Sequence, residues 1–285
     1  ALSQSRLLRV SGAKPSSAAR REPRLAVEVV DAPAEEFNAL FDSIRDDESL
    51  VREAMEFKKN AMRVADVEDR YFVDAMRAHR AVQGMRERYG ADAITIECLQ
   101  LKHRKPCISF ALNNGALVPC GCENDLNASL TLMLGTTLLG RGGFQHNPEF
   151  DTSENRYFGS HCTCAWKLHG PRGPSQEYFV RPFFHQLPKT AALDVQWSPG
   201  EKILLAKYRT EEGALSCWTG KVIESPTSPP TGGCATRVLM DIDGVDDVCT
   251  IYAGPHPVLF CADRGHARRL KAFARMYRLK LLGNV

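Results

Sequence analysis

Residues 119–140 read PCGCENDLNASLTLMLGTTLLG, and the order of residue types in this stretch decides the fold. A short apolar run ends at Cys122. Three polar residues follow, Glu123, Asn124 and Asp125, and an apolar run over 126–139 then stops at Gly140. Asn and Asp are favoured helix N-caps and Gly is favoured just past a helix end, so the stretch predicts strand, turn and helix. A cap explains Asn124 or Asp125 but not Glu123, which falls at the carboxyl end of the predicted strand. That end of a strand is where α/β sheets bind ligands.

Upstream, ADAITIECLQL (91–101) predicts a buried strand carrying Ile94, Thr95 and Ile96. Residues 102–106 are a polar connection, and CISFALNN (107–114) reads as a second strand. Residues 49–89 predict a long helix. Ala75, Ala78, Val82, Met85 and Tyr89 recur at three- and four-residue steps, and Gly90 ends it. A strand over 24–30 leads into a helix starting in DAPAEEFNALFDSI, with Pro33 in its first turn and Glu35 and Glu36 at the positive end of its dipole. Before it stand a short apolar stretch, 7–10, and a loop rich in Ala, Ser, Pro and Arg. Strands alternating with helices predict an α/β domain with a largely parallel sheet over 1–140.

Downstream the character changes. RGGFQHNPEFDTSEN (141–155) reads as a loop. Short strand-like runs follow: YFVRPFF, ALDVQW, KILLAKYR, ALSCWTGKVIE, TRVLMDI, CTIYA and PVLFCA, punctuated by Pro199-Gly200, Glu212-Gly213 and the Pro-rich loop at 225–233. They predict a β-rich domain over 141–285, an antiparallel barrel or sandwich. A final helix over 265–279 carries Leu270, Phe273, Ala274 and Tyr277 on one stripe.

The 285 residues suffice for two modest domains. With 37 basic and 34 acidic residues the net charge is +3, which does not point to nucleic acid or a membrane surface as partner. No apolar run approaches the roughly 20 residues needed to span a bilayer. The chain begins with Ala1 and shows no signal-peptide pattern, so a cytoplasmic location and preceding sequence are expected. Most of the ten cysteines sit in apolar contexts, as small hydrophobes do.

Two histidines stand in positions suited to a site. His161 follows a loop in YFGSHCTCAW, and His256 lies in a Gly-Pro turn in IYAGPHPVLF. Cys120-x-Cys122 and Cys162-x-Cys164 raise a four-cysteine zinc site. Residues i and i+2 of a strand face the same side, but a zinc knuckle usually separates its cysteines by two to four residues. No phosphate-binding glycine motif follows a strand, since LLGRGGF follows a helix. The basic residues of RGHARRLKAFARMYRLK suit a solvated helix face.

In order and approximate spacing, GADAITIECLQL, CENDLNASLT, SHCTCAWKLHGP and AGPHPVLF…HARRLKAFAR resemble the L-fucose isomerase-like family, from about residue 7 to the C-terminus. The resemblance implies the second α/β domain and the β-rich C-terminal domain of an aldose–ketose isomerase, with the first α/β domain absent. It implies a monosaccharide substrate, a divalent metal, usually manganese, and a homo-oligomer in which a neighbour's first domain closes the site. By the same comparison the metal ligands are Glu123, His256 and Asn147, the last standing where the family has an aspartate. His161 matches a ligand of the related arabinose isomerases. The second catalytic carboxylate would be supplied by Glu149 or Asp151, beside Glu123. Asn124, Asp125 and Trp166 would meet the sugar. An amide at 147 cannot accept a proton as an aspartate does, which opens the alternative of a non-catalytic sugar-binding relative.

Overall fold

The computed structural model describes residues 2–12, 19–183, 190–226 and 233–285. Phe184 of YFVRPFF and most of the 225–233 loop lie outside them.

The N-terminal half is built on a five-stranded sheet of β1 (Arg6–Ser11), β2 (Arg20–Arg21), β3 (Glu28–Pro33), β5 (Ala93–Ile96) and β6 (Cys120–Cys122), in the order β2-β3-β1-β5-β6. All neighbours are parallel except β2 and β3. Both faces are covered. Leu8, Val10, Ile94 and Ile96 pack against α1 (Ala34–Ser43), α3 (Asp69–Tyr89) and α4 (Cys107–Gly115). Leu7 and Ala93 face α5 (Leu126–Leu134) on the other side. Asp125 caps α5 by accepting from the Ala128 N–H at 2.8 Å. A π-turn at Gly135–Leu139 extends that helix to Gly140, whose φ of 63° closes it.

The second half is a curled, largely antiparallel half-barrel in the order β7-β15-β12-β13-β14-β9-β8, with β16 added beside β13. Its strands are β7 (Gly143–Gln145), β8 (Asn147–Asp151), β9 (Arg156–His161), β12 (Lys202–Arg209), β13 (Ala214–Glu224), β14 (Thr236–Ile242), β15 (Val258–Cys261) and β16 (Lys280–Gly283). The helix α6 (Arg264–Met276) packs outside. A small sheet joins the halves: β4 (Arg63–Val64), which follows α2 (Glu48–Lys59), pairs with β10 (Tyr178–Pro182), and β10 pairs with β11 (Ala191–Val195). The coarse expectation of an α/β part followed by a β-rich part and a terminal helix therefore holds.

Packing welds the halves. On β12, Ile203 and Leu205 enter one core with Leu50, Phe72 and Ile108 of the helices, while Leu204, Ala206 and Tyr208 enter another with α5. A strand buried on both faces carries an apolar run instead of an alternating one. The helix α5 is buried all round for the same reason, since it lies between two sheets.

Several local expectations are corrected. CISFALNN is a helix, α4, not a strand. It starts behind Pro106 and is buried on every side, which erases the helical period. The partner of β5 is instead Cys120–Cys122. The apolar stretch at 7–10 is the central strand β1, and the strand expected at 24–30 runs at Glu28–Pro33. Pro33 is the N-cap of α1. The helix expected over 49–89 is two, α2 and α3, interrupted by β4. CTIYA forms a 3₁₀ turn, Val248–Ile251, because the Asp247 carboxylate accepts from the Cys249 N–H. The expected loop at 141–155 holds β7 and β8. Among the described residues, no helix is long and apolar enough to cross a membrane.

Candidate functional site

The carboxyl ends of β5 and β6 meet the open side of the half-barrel. Glu123 follows β6 directly, with φ of 57°, and Asn124 repeats that value. Two consecutive non-glycine residues in the left-handed region cost about 1–2 kcal/mol each, and such strain concentrates at functional sites. The Gln145 amide holds the end of β6 in place. Its Oε1 accepts from the Cys122 N–H at 2.8 Å, and its Nε2 donates to the Cys122 carbonyl at 3.1 Å.

Two histidines converge on the Glu123 carboxylate. His161, the last residue of β9, brings Nε2 to 3.3 Å from Oε1. His256 brings Nε2 to 3.4 Å from Oε2. The rings meet edge to face at 5.5 Å between centroids. His256 sits between two prolines with φ of 51°, a third strained residue in the cluster. Its Nδ1 donates to Asp125 Oδ2 at 3.0 Å, which leaves Nε2 directed at Glu123. A carboxylate behind one ring nitrogen is how proteins orient a metal-binding imidazole. Asp125 thus caps α5 and orients His256 at once.

Lys207 completes the support. It lies mid-strand on β12 and is 2% exposed. Its Nζ donates to Asp125 Oδ2 at 3.0 Å and to the carbonyls of Pro255 and His256 at 2.7 and 3.1 Å. It therefore pins both ends of the Asp125–His256 contact.

The electrostatics follow from these contacts. The imidazoles of His161 and His256 hold Glu123 well below the usual carboxylate range, against the opposing effect of burial. Burial would lower His256, but Asp125 and Glu123 overcome it and raise its pKa to about 9. His161 goes the other way, because burial outweighs its one carboxylate neighbour. Its Nε2 is fully buried and has no hydrogen-bond partner, despite its approach to Glu123. An unsatisfied buried imidazole nitrogen beside a carboxylate and a second imidazole fits a divalent cation. Glu123 keeps 29% of its side chain exposed, so the cluster is open to solvent. Beside it, a cleft of about 470 Å³ is lined by Asp125, Asn127, Lys207, Arg209 and the Tyr252–Pro255 segment.

Not every sequence candidate joins the cluster. Asp151 is the last residue of β8, and its Oδ1 accepts from Ser153 and Glu154 in the turn that leads to β9. It pairs with Arg156, five residues along β9 from His161, about 16 Å at 3.3 Å per residue. The role of catalytic partner does not suit it there. Asn147 pairs with Ser160, so strand alternation gives it the face opposite to His161, and it makes no hydrogen bond to the cluster. Glu149 lies 3.4 Å from Ser160 Oγ on that same face. Trp166 packs instead of facing a ligand: its ring lies against Gly115, where an added Cβ would come within 2.6 Å, and edge-on to Tyr178. Asn124 stays at the cluster's edge, with its Oδ1 buried and unbonded.

The four-cysteine zinc site does not form. Cys120 and Cys122 pack in the core of the parallel sheet, Cys164 packs under the half-barrel, and Cys162 lies in a separate patch with Cys107. Cys122 Sγ does lie within ligand distance of Glu123 and His161. Its sulfur is already engaged by Cys98 Sγ at 2.9 Å, and that contact and then burial hold the Cys122 thiol well above its usual pKa.

Sequence reasoning passed over Lys207 and Gln145, and it placed Cys122 only in a four-cysteine set, not beside Glu123. The signal for Lys207 was a lysine in phase with Ile203 and Leu205 in KILLAKYR, where an inward cation demands a partner. No protein-family model matches the sequence, and a search of curated proteins gave no match either.

Proposed function

We propose that this chain carries the metal-binding part of an aldose–ketose isomerase similar to the L-fucose isomerases, acting on a monosaccharide. The observation that supports it most is the convergence of two imidazole Nε2 atoms on one strained carboxylate at a sheet's carboxyl edge. On this reading the parallel sheet with its helices is the second α/β domain, the half-barrel with α6 is the C-terminal domain, and the subunits associate as a homo-oligomer. Cytoplasmic location belongs to the same reading.

Glu123, His161 and His256 would hold the divalent ion, manganese by the resemblance. Such an ion supplies Lewis-acid polarisation of the sugar's carbonyl and adjacent hydroxyl. The residues do the rest. Asp125 and Lys207 fix the ring of His256. Asn124, at the cluster's edge with its amide oxygen buried and unbonded, would meet the sugar by the resemblance. The reaction needs a group that removes a proton from the carbon beside the carbonyl and returns it to the neighbouring carbon. Glu123 is a poor base, because its imidazole partners stabilise the carboxylate.

A second reading is favoured by a specific observation. Asp125 is the other carboxylate of the cluster, and its oxygens are engaged by the α5 N–H, His256 and Lys207. With Asn147 where the resemblance expects an aspartate, the site would bind sugar without converting it. Turnover of L-fucose, D-arabinose and L-arabinose with manganese, beside Glu123→Gln, separates the two. Activity lost in the variant supports the isomerase. Sugar binding without turnover supports the non-catalytic relative, and neither binding nor turnover removes both.

A further inference from the structure

A second set of donors lies apart from this cluster, and nothing in the isomerase reading uses it. His169, Glu201 and Cys261 each bring one ligand atom to within 4.8 Å of the other two. His169 Nε2 and Glu201 Oε1 are 3.9 Å apart. We propose that these three residues form a binding site for a zinc-like, thiophilic divalent cation, with a water molecule completing the tetrahedron.

Three observations carry this. The donors come from three backbone segments that are each fixed. His169 lies in a turn closed by the Gly170 N–H to the Lys167 carbonyl. Glu201 is held by its own N–H to Ser198 and by its carbonyl to Val222. Cys261 ends β15 opposite Ile203. Their spacing is near that of a bound ion, because a tetrahedral zinc with sulfur at 2.3 Å and nitrogen or oxygen near 2.0 Å sets its ligands about 3.3–3.6 Å apart. The side chains of His169 and Glu201 are 35% and 26% exposed, so they are free to close by that margin and to admit the ion and its water.

The donor chemistry selects the ion. One thiolate, one carboxylate and one neutral imidazole balance a divalent charge and suit zinc better than manganese or magnesium. Burial is the largest influence on the Cys261 thiol and raises its pKa, and Arg141 offsets this only in small part. Burial and the Glu201 carboxylate act against ionisation, so the incoming ion must displace the thiol proton.

The test is spectroscopic and independent of isomerase activity. The full chain is freed of metal with a chelator under reducing conditions and titrated with cobalt(II), then with zinc in competition. A thiolate-to-cobalt charge-transfer band is expected. It should persist in Glu123→Gln and Cys122→Ser, which remove the first cluster and its thiol. It should vanish in Cys261→Ser, and in His169→Gln the zinc affinity should fall at least about tenfold. His169 is partly exposed, so that variant keeps the test valid if Cys261→Ser fails to fold. A parent without the band, a band lost in Cys122→Ser, or unchanged zinc affinity in His169→Gln would each overturn the proposal.

Discussion

Glu97 and Glu123 occupy equivalent places on neighbouring parallel strands, since Ile96 pairs with Cys122 and each glutamate follows directly. Their surroundings differ. Glu97 takes the Gly12 N–H at 2.9 Å, the Ser11 hydroxyl at 3.3 Å and the Gln100 amide at 3.3 Å, and its φ is an ordinary −74°. It ties down the loop after β1 at the place between β1 and β5 where the chain's crossing direction changes, which is where an open α/β sheet would usually bind a ligand. Glu123 has left-handed backbone, two imidazole neighbours and solvent on its open side. The same residue type at the same sheet edge is structural when hydrogen-bond donors of the fold saturate it. It becomes available for chemistry when its partners are themselves able to bind a ligand. In this molecule the candidate site lies at the edge strand and not at the strand crossover, and there the half-barrel brings His161 and His256 to the carboxylate.

The comparison can be broken at its support. Lys207→Met removes the cation behind Asp125 and leaves a buried carboxylate. The expected loss is about 3–5 kcal/mol in denaturant unfolding, with metal affinity falling as well. A change below 1 kcal/mol would mean that Lys207 does not hold the Glu123 side together.

The pH dependence comes next in size. The folded pKa of His256 is raised to about 9 from an ordinary value of 6.5. Its stabilisation is therefore complete below pH 6.5 and is lost as pH rises through 9. At about 1.4 kcal/mol per pH unit, chelator-treated protein should lose about 3 kcal/mol across that window. His161 acts in the opposite sense and at lower pH, because burial lowers its pKa and its contribution to stability therefore rises as pH rises towards 6.5. Asp125→Asn should flatten the slope, and urea midpoints measured at pH 6, 7.5 and 9 check both.

Glu97→Gln sharpens the contrast. It should cost about 1–2 kcal/mol, the scale of charge-assisted hydrogen bonds lost at a half-buried position, and leave metal affinity unchanged. Asn124→Gly has the smallest expected effect. Relief of the positive φ offsets the added freedom of the unfolded chain, so the unfolding free energy should stay within about 1 kcal/mol of the parent. A sugar affinity that nevertheless drops would assign the unbonded amide oxygen of Asn124 to a hydroxyl.

What the sequence made legible follows from the range of each signal. Glu123, Asp125 and α5 were readable because strand, cap and helix are contiguous. His161 and His256 were readable as histidines beside turns, but their meeting depends on the curl of the half-barrel, which no local pattern encodes. Lys207 looked like any polar residue in a strand, since its partner lies 82 positions away. The misread elements share a physical cause as well. α4 is buried on nearly every side, and β1 exposes only parts of Arg6 and Arg9, which fall on opposite faces, so neither showed one solvent face to set its period. The break between α2 and α3 was hidden because Met62, Val64 and Val67 continue the apolar spacing through β4. Asp151 is acidic and near Asn147 in sequence, but the hairpin places it at the end of β8 that pairs with Arg156, away from His161.

The most direct measurement is manganese binding to the full chain, followed by electron paramagnetic resonance, in the parent, Glu123→Gln and Glu97→Gln. The account predicts binding in the parent, affinity within about twofold in Glu97→Gln, and at least about a tenfold loss in Glu123→Gln. Equal affinity in the parent and Glu123→Gln, or a larger loss in Glu97→Gln, would contradict it.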